Sequence, residues 1–125
     1  MAHHHSPGFL KLVEEAKQRV REITAGELKR RLNNRESFHL IDVREEEEYA
    51  AGKIPGARHL CKGIIERDIE SAVPDLSADM VLYCGGGFRS ALAADNLQKM
   101  GYTRVLSLAG GFREWREAKY PIEKL

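Results

Sequence analysis

The chain of 125 residues predicts an α/β fold: a central parallel sheet of five strands with helices on both faces, plus an extra N-terminal helix.

 Three observations predict it. Short apolar runs alternate along the chain with segments of helical apolar spacing, the order that builds βαβ units. One run, Met80-Val81-Leu82-Tyr83, has no polar alternation and reads as a strand covered on both faces. It leads through a glycine-rich loop into a helix, Ser90 to Met100, with Ala91, Leu92, Ala94 and Leu97 at helical spacing and Gly101 as its C-cap.

The elements follow in order. Residues 1–8, Met-Ala-His-His-His-Ser-Pro-Gly, read as an expression-tag remnant and are set aside. Residues 9–19 carry Phe9, Leu12, Val13 and Ala16 on one stripe, which predicts an amphipathic helix; packing on the same chain is the commoner case, and a partner surface is the alternative. Residues 20–125 form the main domain. Val20 to Ile23 is its first short strand. Thr24-Ala25-Gly26-Glu27 has the capping-box pattern and opens a helix running from Glu27 to Asn33. Phe38 to Val43 is the second strand. Glu45 to Gly52 is a short helix whose acidic first turn suits the helix dipole and is read as a solvated face. Ile54-Pro55-Gly56-Ala57 is a turn, Ala57 to Leu60 the third strand, and Ile64 to Val73 a helix. Arg104 to Leu108 is the last strand. After the turn Ala109-Gly110-Gly111, Phe112 to Lys119 is the final helix, with Trp115 as a core anchor and Pro121 as its stop.

Composition narrows the function. Twenty Lys and Arg against 19 Asp and Glu leave a net charge of +1, which offers nothing for nucleic acid. No apolar run is long enough for a bilayer and no secretory core is visible, so no membrane partner is expected. The two cysteines, Cys61 and Cys84, sit at unlike positions and do not form a disulfide framework; a reducing, cytoplasmic setting is the expectation.

The chemistry concentrates after the Met80 strand, in Cys84-Gly85-Gly86-Gly87-Phe88-Arg89-Ser90. Glycines let backbone N–H groups turn inward, and the following helix N-terminus adds positive potential. The cysteine sulfur at the centre of such a nest is a candidate thiolate nucleophile. The plainer alternative is a small buried hydrophobe before a flexible turn. Ser90 is read as a cap of the following helix. Asp42 and Arg44 close the second strand and are read as a pair that braces neighbouring loops. Cys61 and Lys62 follow the third strand. Ligands gather at strand C-terminal ends in parallel sheets, so the two are candidate substrate-binding residues, Cys61 as a resolving thiol and Lys62 as an anion attractor; the plainer alternatives are a packed, incidental thiol and a solvent-exposed lysine. His39 is read as a half-buried side chain.

The chain resembles a rhodanese-like single-domain sulfurtransferase. The resemblance covers Val20 to Tyr120 and rests on signatures in order: Asp42-Val43-Arg44; Gly52-Lys53-Ile54-Pro55-Gly56-Ala57; the Cys84 to Arg89 loop; and Gly110-Gly111 with Trp115. It implies that Cys84 takes sulfane sulfur from a small donor (thiosulfate or a mercaptopyruvate-like compound, or another persulfide), carries it as a persulfide, and passes it to a thiol, cyanide or a protein acceptor. No metal and no cofactor are implied, and a monomer or weak dimer is expected. Cdc25-like phosphatases resemble this loop but place five residues between cysteine and arginine. Here four intervene, which favours sulfur transfer over a phosphatase or arsenate reductase. Arg89 is expected to point into the site as an anion binder; the alternative is a clasp on loop carbonyls. Two positions depart from the family: Gly85 stands where many thiosulfate-using members have a cation, and Lys53 where histidine is usual. A non-catalytic binding or regulatory module is the remaining alternative.

Overall fold

The structure is a computed structural model that describes residues 5–125. In chain order the elements are α1 (Pro7–Lys17), β1 (Arg21–Ile23), α2 (Ala25–Asn33), β2 (His39–Asp42), α3 (Glu46–Ala51), β3 (Arg58–His59), α4 (Ile65–Ala72), β4 (Met80–Tyr83), α5 (Phe88–Lys99), β5 (Val105–Leu108) and α6 (Gly111–Glu117). The five strands form one sheet in the order β1-β5-β4-β2-β3, and every pairing is parallel. This is the predicted α/β sheet. β4 lies at its centre, so its C-terminal residue delivers Cys84 to the middle of one sheet edge.

The alternation of a strand splits the core in two. Met80, Leu82 and Cys84 join one apolar cluster with Ile41, Ile65, Ile69 and Leu97. Val81 and Tyr83 join the other, with Leu28, Leu40, Ile54, Leu108, Phe112 and Trp115. Covering both faces explains why β4 is apolar at every position. Trp115 is buried among these residues, and its indole N–H donates to Pro121 O at 2.8 Å.

Several element boundaries differ from the sequence expectation, each for a local reason. Thr24 Oγ1 accepts from Glu27 N at 3.1 Å, so α2 starts directly after Thr24 rather than at Glu27. Gly87 adopts φ +95° and is itself the N-cap of α5, which therefore begins at Phe88. Ser90 thus sits inside the first turn and is no cap. α1 takes in Pro7 and Gly8, with Ser6 as N-cap and the proline at the first helical turn, where its missing N–H is harmless. Residues 1–4 of the segment set aside lie outside the described residues. α1 packs on α5 of the same chain: Val13 and Ala16 are buried, and Arg19 clasps Asp95 with Nε and Nη2 at 2.8 and 2.7 Å.

The end of β2 is braced by a buried ion pair. Asp42 is fully buried and Arg44 nearly so. Arg44 Nε and Nη2 donate to the carboxylate at 3.0 and 2.7 Å, and Nη2 also donates to Gly52 O at 2.6 Å. The guanidinium lies over the Phe112 ring, 4.2 Å from its centroid. Removing one partner of such a pair strands the other's charge, so Asp42→Ala is expected to cost about 3–5 kcal/mol. Urea denaturation measures this; a loss under about 1 kcal/mol, the range of an exposed pair, would remove the bracing role.

Candidate active site

The loop after β4 folds around the Cys84 sulfur. Gly87 N and Ser90 N donate to Sγ at 3.1 and 3.3 Å. The two N–H groups come from the loop's end and the first turn of α5, so the helix dipole and the amides act on the same atom. Ser90 Oγ lies 3.5 Å from Sγ and 2.8 Å from Ser107 Oγ. Ser90 and Ser107 are both fully buried, which makes a short hydroxyl chain ending at the sulfur. Cys84 itself is only 1% exposed. Ser107 escaped the sequence reading; the one signal was a polar residue in the strand Val105-Leu106-Ser107-Leu108.

The loop is held from behind by the start of α6. Phe112 N donates to Cys84 O at 2.8 Å and Arg113 N to Gly85 O at 3.0 Å. The approach is closest at Gly111, which has φ +56° and touches the Cys84 and Gly85 peptide. Gly110-Gly111 therefore serves the active loop and not merely a turn.

In front of the loop lies a cavity of about 970 Å³, lined by Gly85, Gly86, Phe88 and Arg89 of the loop and by Arg44 and Glu48. Arg113, Arg116 and Lys124 also line it. Phe88 meets the N-terminal helix: its ring centroid is 6.3 Å from that of Phe9 and 4.9 Å from that of His5, and Lys17 Nζ stands 4.9 Å above it.

Arg89 closes the loop after Phe88. It lines the cavity, but its guanidinium is engaged by Glu48, Nη1 to Oε1 at 2.8 Å and Nη2 to Oε2 at 3.1 Å. Glu48 was read as part of a solvated acidic face. It instead caps α3 through Glu45 N at 3.0 Å and reaches the active loop. Sequence spacing could not show this, because the two residues are 41 positions apart. The Arg89 guanidinium is raised above its ordinary value, first by the bond to Glu48, against burial, with the Cys84 charge adding to the effect.

Cys61 and Lys62 do not line the cavity, and no hydrogen bond joins either side chain to the loop among the described residues. They follow β3, the edge strand, and β2 stands between it and β4. Two strand spacings amount to about 10 Å, which separates them from the central strand end.

The Glu48 carboxyl is held below its ordinary range, first by the Arg89 hydrogen bond, against burial, with Glu45 N–H and the charges of Arg89 and Arg44 adding to it. A depressed carboxyl contributes stability that is present above its unfolded pKa, about 4.3, and lost as pH falls through the folded value. Wild type should therefore exceed Glu48→Gln in stability at neutral pH, and the difference should shrink below about pH 4. Solvent screening of a pair about one-third exposed limits the difference to about 1 kcal/mol or less. Denaturation at both pH values checks the sign; a difference that grows on acidification would contradict it.

Residues 24–118 match the rhodanese-like domain family. The chain belongs to that family. The rhodanese-like domain is 38% identical over 103 residues to a sulfurtransferase of Allochromatium vinosum, covering 82% of this chain and 94% of that protein. It is 39% identical over 92 residues to the thiosulfate sulfurtransferase GlpE of Pseudomonas putida, covering 74% and 81% of the two chains. It spans only about half (51%) of a longer Bacillus subtilis relative that is 33% identical over 98 residues. Among solved structures, a protein of unknown function from Rhodopseudomonas palustris, described as a possible tyrosine phosphatase, superposes with a TM-score of 0.87 at 31% identity, covering 98% and 99% of the chains. With relatives of this similarity and coverage, the rhodanese-like chain falls in the sulfurtransferase class. No described helix is long and apolar enough to cross a membrane.

Proposed function

We propose that this protein moves sulfane sulfur through a persulfide on Cys84. The observation that carries the reading is the sulfur's surroundings: two backbone N–H groups at 3.1 and 3.3 Å, at the start of α5, with the Ser90 hydroxyl at 3.5 Å. Both N–H groups can donate to the sulfur, whether it is the cysteine's own or, after transfer, part of a persulfide. In the first half-reaction the thiolate attacks the donor's outer sulfur. A new S–S bond forms at Cys84, the donor's own bond to that sulfur breaks, and its electron pair leaves with the donor remnant. In the second, a thiol, cyanide or a protein thiolate attacks the outer sulfur and regenerates the Cys84 thiolate. Both displacements balance without metal or organic cofactor, and the scheme is ping-pong. A reducing, cytoplasmic setting suits a carrier thiol of this kind.

Intact-mass analysis after thiosulfate, and separately after 3-mercaptopyruvate, tests the reading. One added sulfur atom, lost on treatment with cyanide or a thiol and missing in Cys84→Ser, is the expected result. No addition with these donors or with a chemically prepared persulfide would leave the binding-module reading in its place.

The likeness to a possible tyrosine phosphatase favours phosphoryl transfer as a second reading. Against it, the arginine that would hold a phosphate is occupied by Glu48. Cys84-dependent hydrolysis of a phosphate ester would support it.

A further inference from the structure

The two halves of the active loop are held by different means. The first half is fixed through its backbone, where Phe112 N and Arg113 N donate to Cys84 O and Gly85 O. The second half, Gly87 to Ser90, carries both N–H groups that reach the sulfur, and side chains anchor it. Arg89 is taken by Glu48 of α3 and Ser90 by Ser107 of β5. Phe88 is held by α1. The Phe9 ring lies 6.3 Å from the Phe88 ring, the His5 ring 4.9 Å, and Lys17 Nζ stands 4.9 Å from the Phe88 centroid. Phe9 and Lys17 are separated by about 12 Å of helical rise, yet their side chains converge on one half-buried ring. Lys17 is steadied in turn by Glu22 of β1, Nζ to Oε2 at 3.7 Å. α1 lies outside residues 24–118, so the family match alone does not supply this anchor.

We propose that Phe9 and Lys17 are positioning residues for sulfur transfer: through Phe88 they hold the start of α5 so that Gly87 N–H and Ser90 N–H stay aimed at Cys84 Sγ. The inference rests on the sulfurtransferase reading and deepens it. Phe88 follows one donor directly and stands two residues before the other, so its ring is a handle on both. The aim matters when the persulfide is discharged. The carbon of cyanide bonds to the outer sulfur of the Cys84 persulfide anion, the S–S bond breaks, thiocyanate leaves, and the electron pair stays on Cys84 Sγ. Donors already directed at that atom stabilise the charge as it forms, which acts on the transition state more than on binding. A second half of the loop that can shift loses this aim, and small misplacements are costly in rate.

Single-turnover discharge tests it, with protein loaded from thiosulfate and mixed with cyanide. Phe9→Ala should slow discharge about two- to tenfold, the size of an aromatic pair, and Lys17→Met about two- to fivefold, the size of an exposed cation–π contact. Lys17→Arg keeps a cation over the ring and should stay near the wild-type rate. Arg19→Gln controls for a merely structural role: it unclasps the same helix from Asp95, about two turns along α5 from Phe88, and should leave the rate within twofold. In a Phe88→Leu background Phe9→Ala should add little further loss, because residues in contact are not additive. The amide resonances of Gly87 and Ser90 should shift in Phe9→Ala and hold still in Arg19→Gln. Unchanged discharge in Phe9→Ala and Lys17→Met, an equal fall in Arg19→Gln, or full additivity in Phe88→Leu would overturn this inference alone. A wild type that takes up no sulfur would overturn the sulfurtransferase reading. The amide resonances need no turnover and would then still decide whether α1 aims the two N–H groups.

Discussion

Cys84→Ser is expected to lower sulfur transfer by at least about three orders of magnitude, to the rate of the uncatalysed exchange, with every donor tried. A hydroxyl stays protonated near neutral pH and forms no stable bond to sulfane sulfur, so the variant has neither nucleophile nor carrier. The substitution should leave the fold intact. Cys84 is buried in a nest whose amides a serine oxygen can also engage, and the volume change is small. Equal melting temperatures beside lost turnover are therefore the expected pair of results. Peptide mapping of the loaded wild type should place the added sulfur on Cys84 and none on Cys61, which lies beyond β2 at the sheet edge. Persulfide on Cys61 in the Cys84→Ser protein would show that the carrier had been misassigned.

Gly111→Ala is expected to disrupt the site by geometry alone. A Cβ at Gly111 would fall 2.5 Å from Cys84 O and 2.7 Å from Gly85 O. Both are backbone atoms, and the N–H groups of Phe112 and Arg113 hold those carbonyls in place, so no flexible side chain can give way. The residue also has φ +56°, where an L side chain is strained. Together these should cost about 2–4 kcal/mol of stability and displace the Cys84 loop. Gly56→Ala is the matched control. It has φ +87° and no atom within 4 Å of the added carbon, so it should cost only about 1 kcal/mol. Denaturation and sulfur-transfer rates compare the two; similar losses in both would show that the contact with the Cys84 peptide carries no special weight.

Much of the fold could be read along the chain. Apolar runs marked β2, β4 and β5, and the capping pattern at Thr24 marked α2, because period and caps are local properties. The ends of helices were less legible. α5 starts at Phe88 because Gly87 takes a left-handed conformation, at a point where Gly110 and Leu108 across the turn leave little room for a side chain. The nucleophile was legible because cysteine, glycines and a helix start are adjacent in sequence. Its surroundings were not: Ser107 joins Ser90 from β5, and Glu48 joins Arg89 from α3, through contacts that span 17 and 41 positions.

Local sequence already carries an α/β sheet, a strand that runs into Cys84 and a loop whose amides can turn toward that sulfur. Each follows from short-range periodicity and backbone freedom. The pairing of charges at the site is set by folding. Strand order set β3 at the edge, away from β4, and so took Cys61 and Lys62 out of the cavity. The contact of α3 with the loop brought Glu48 to Arg89, and α6 supplied Arg113 and Arg116 to the lining of the cavity. Electrostatic interactions act through space between side chains that only folding brings together, so their balance is a property of the folded chain.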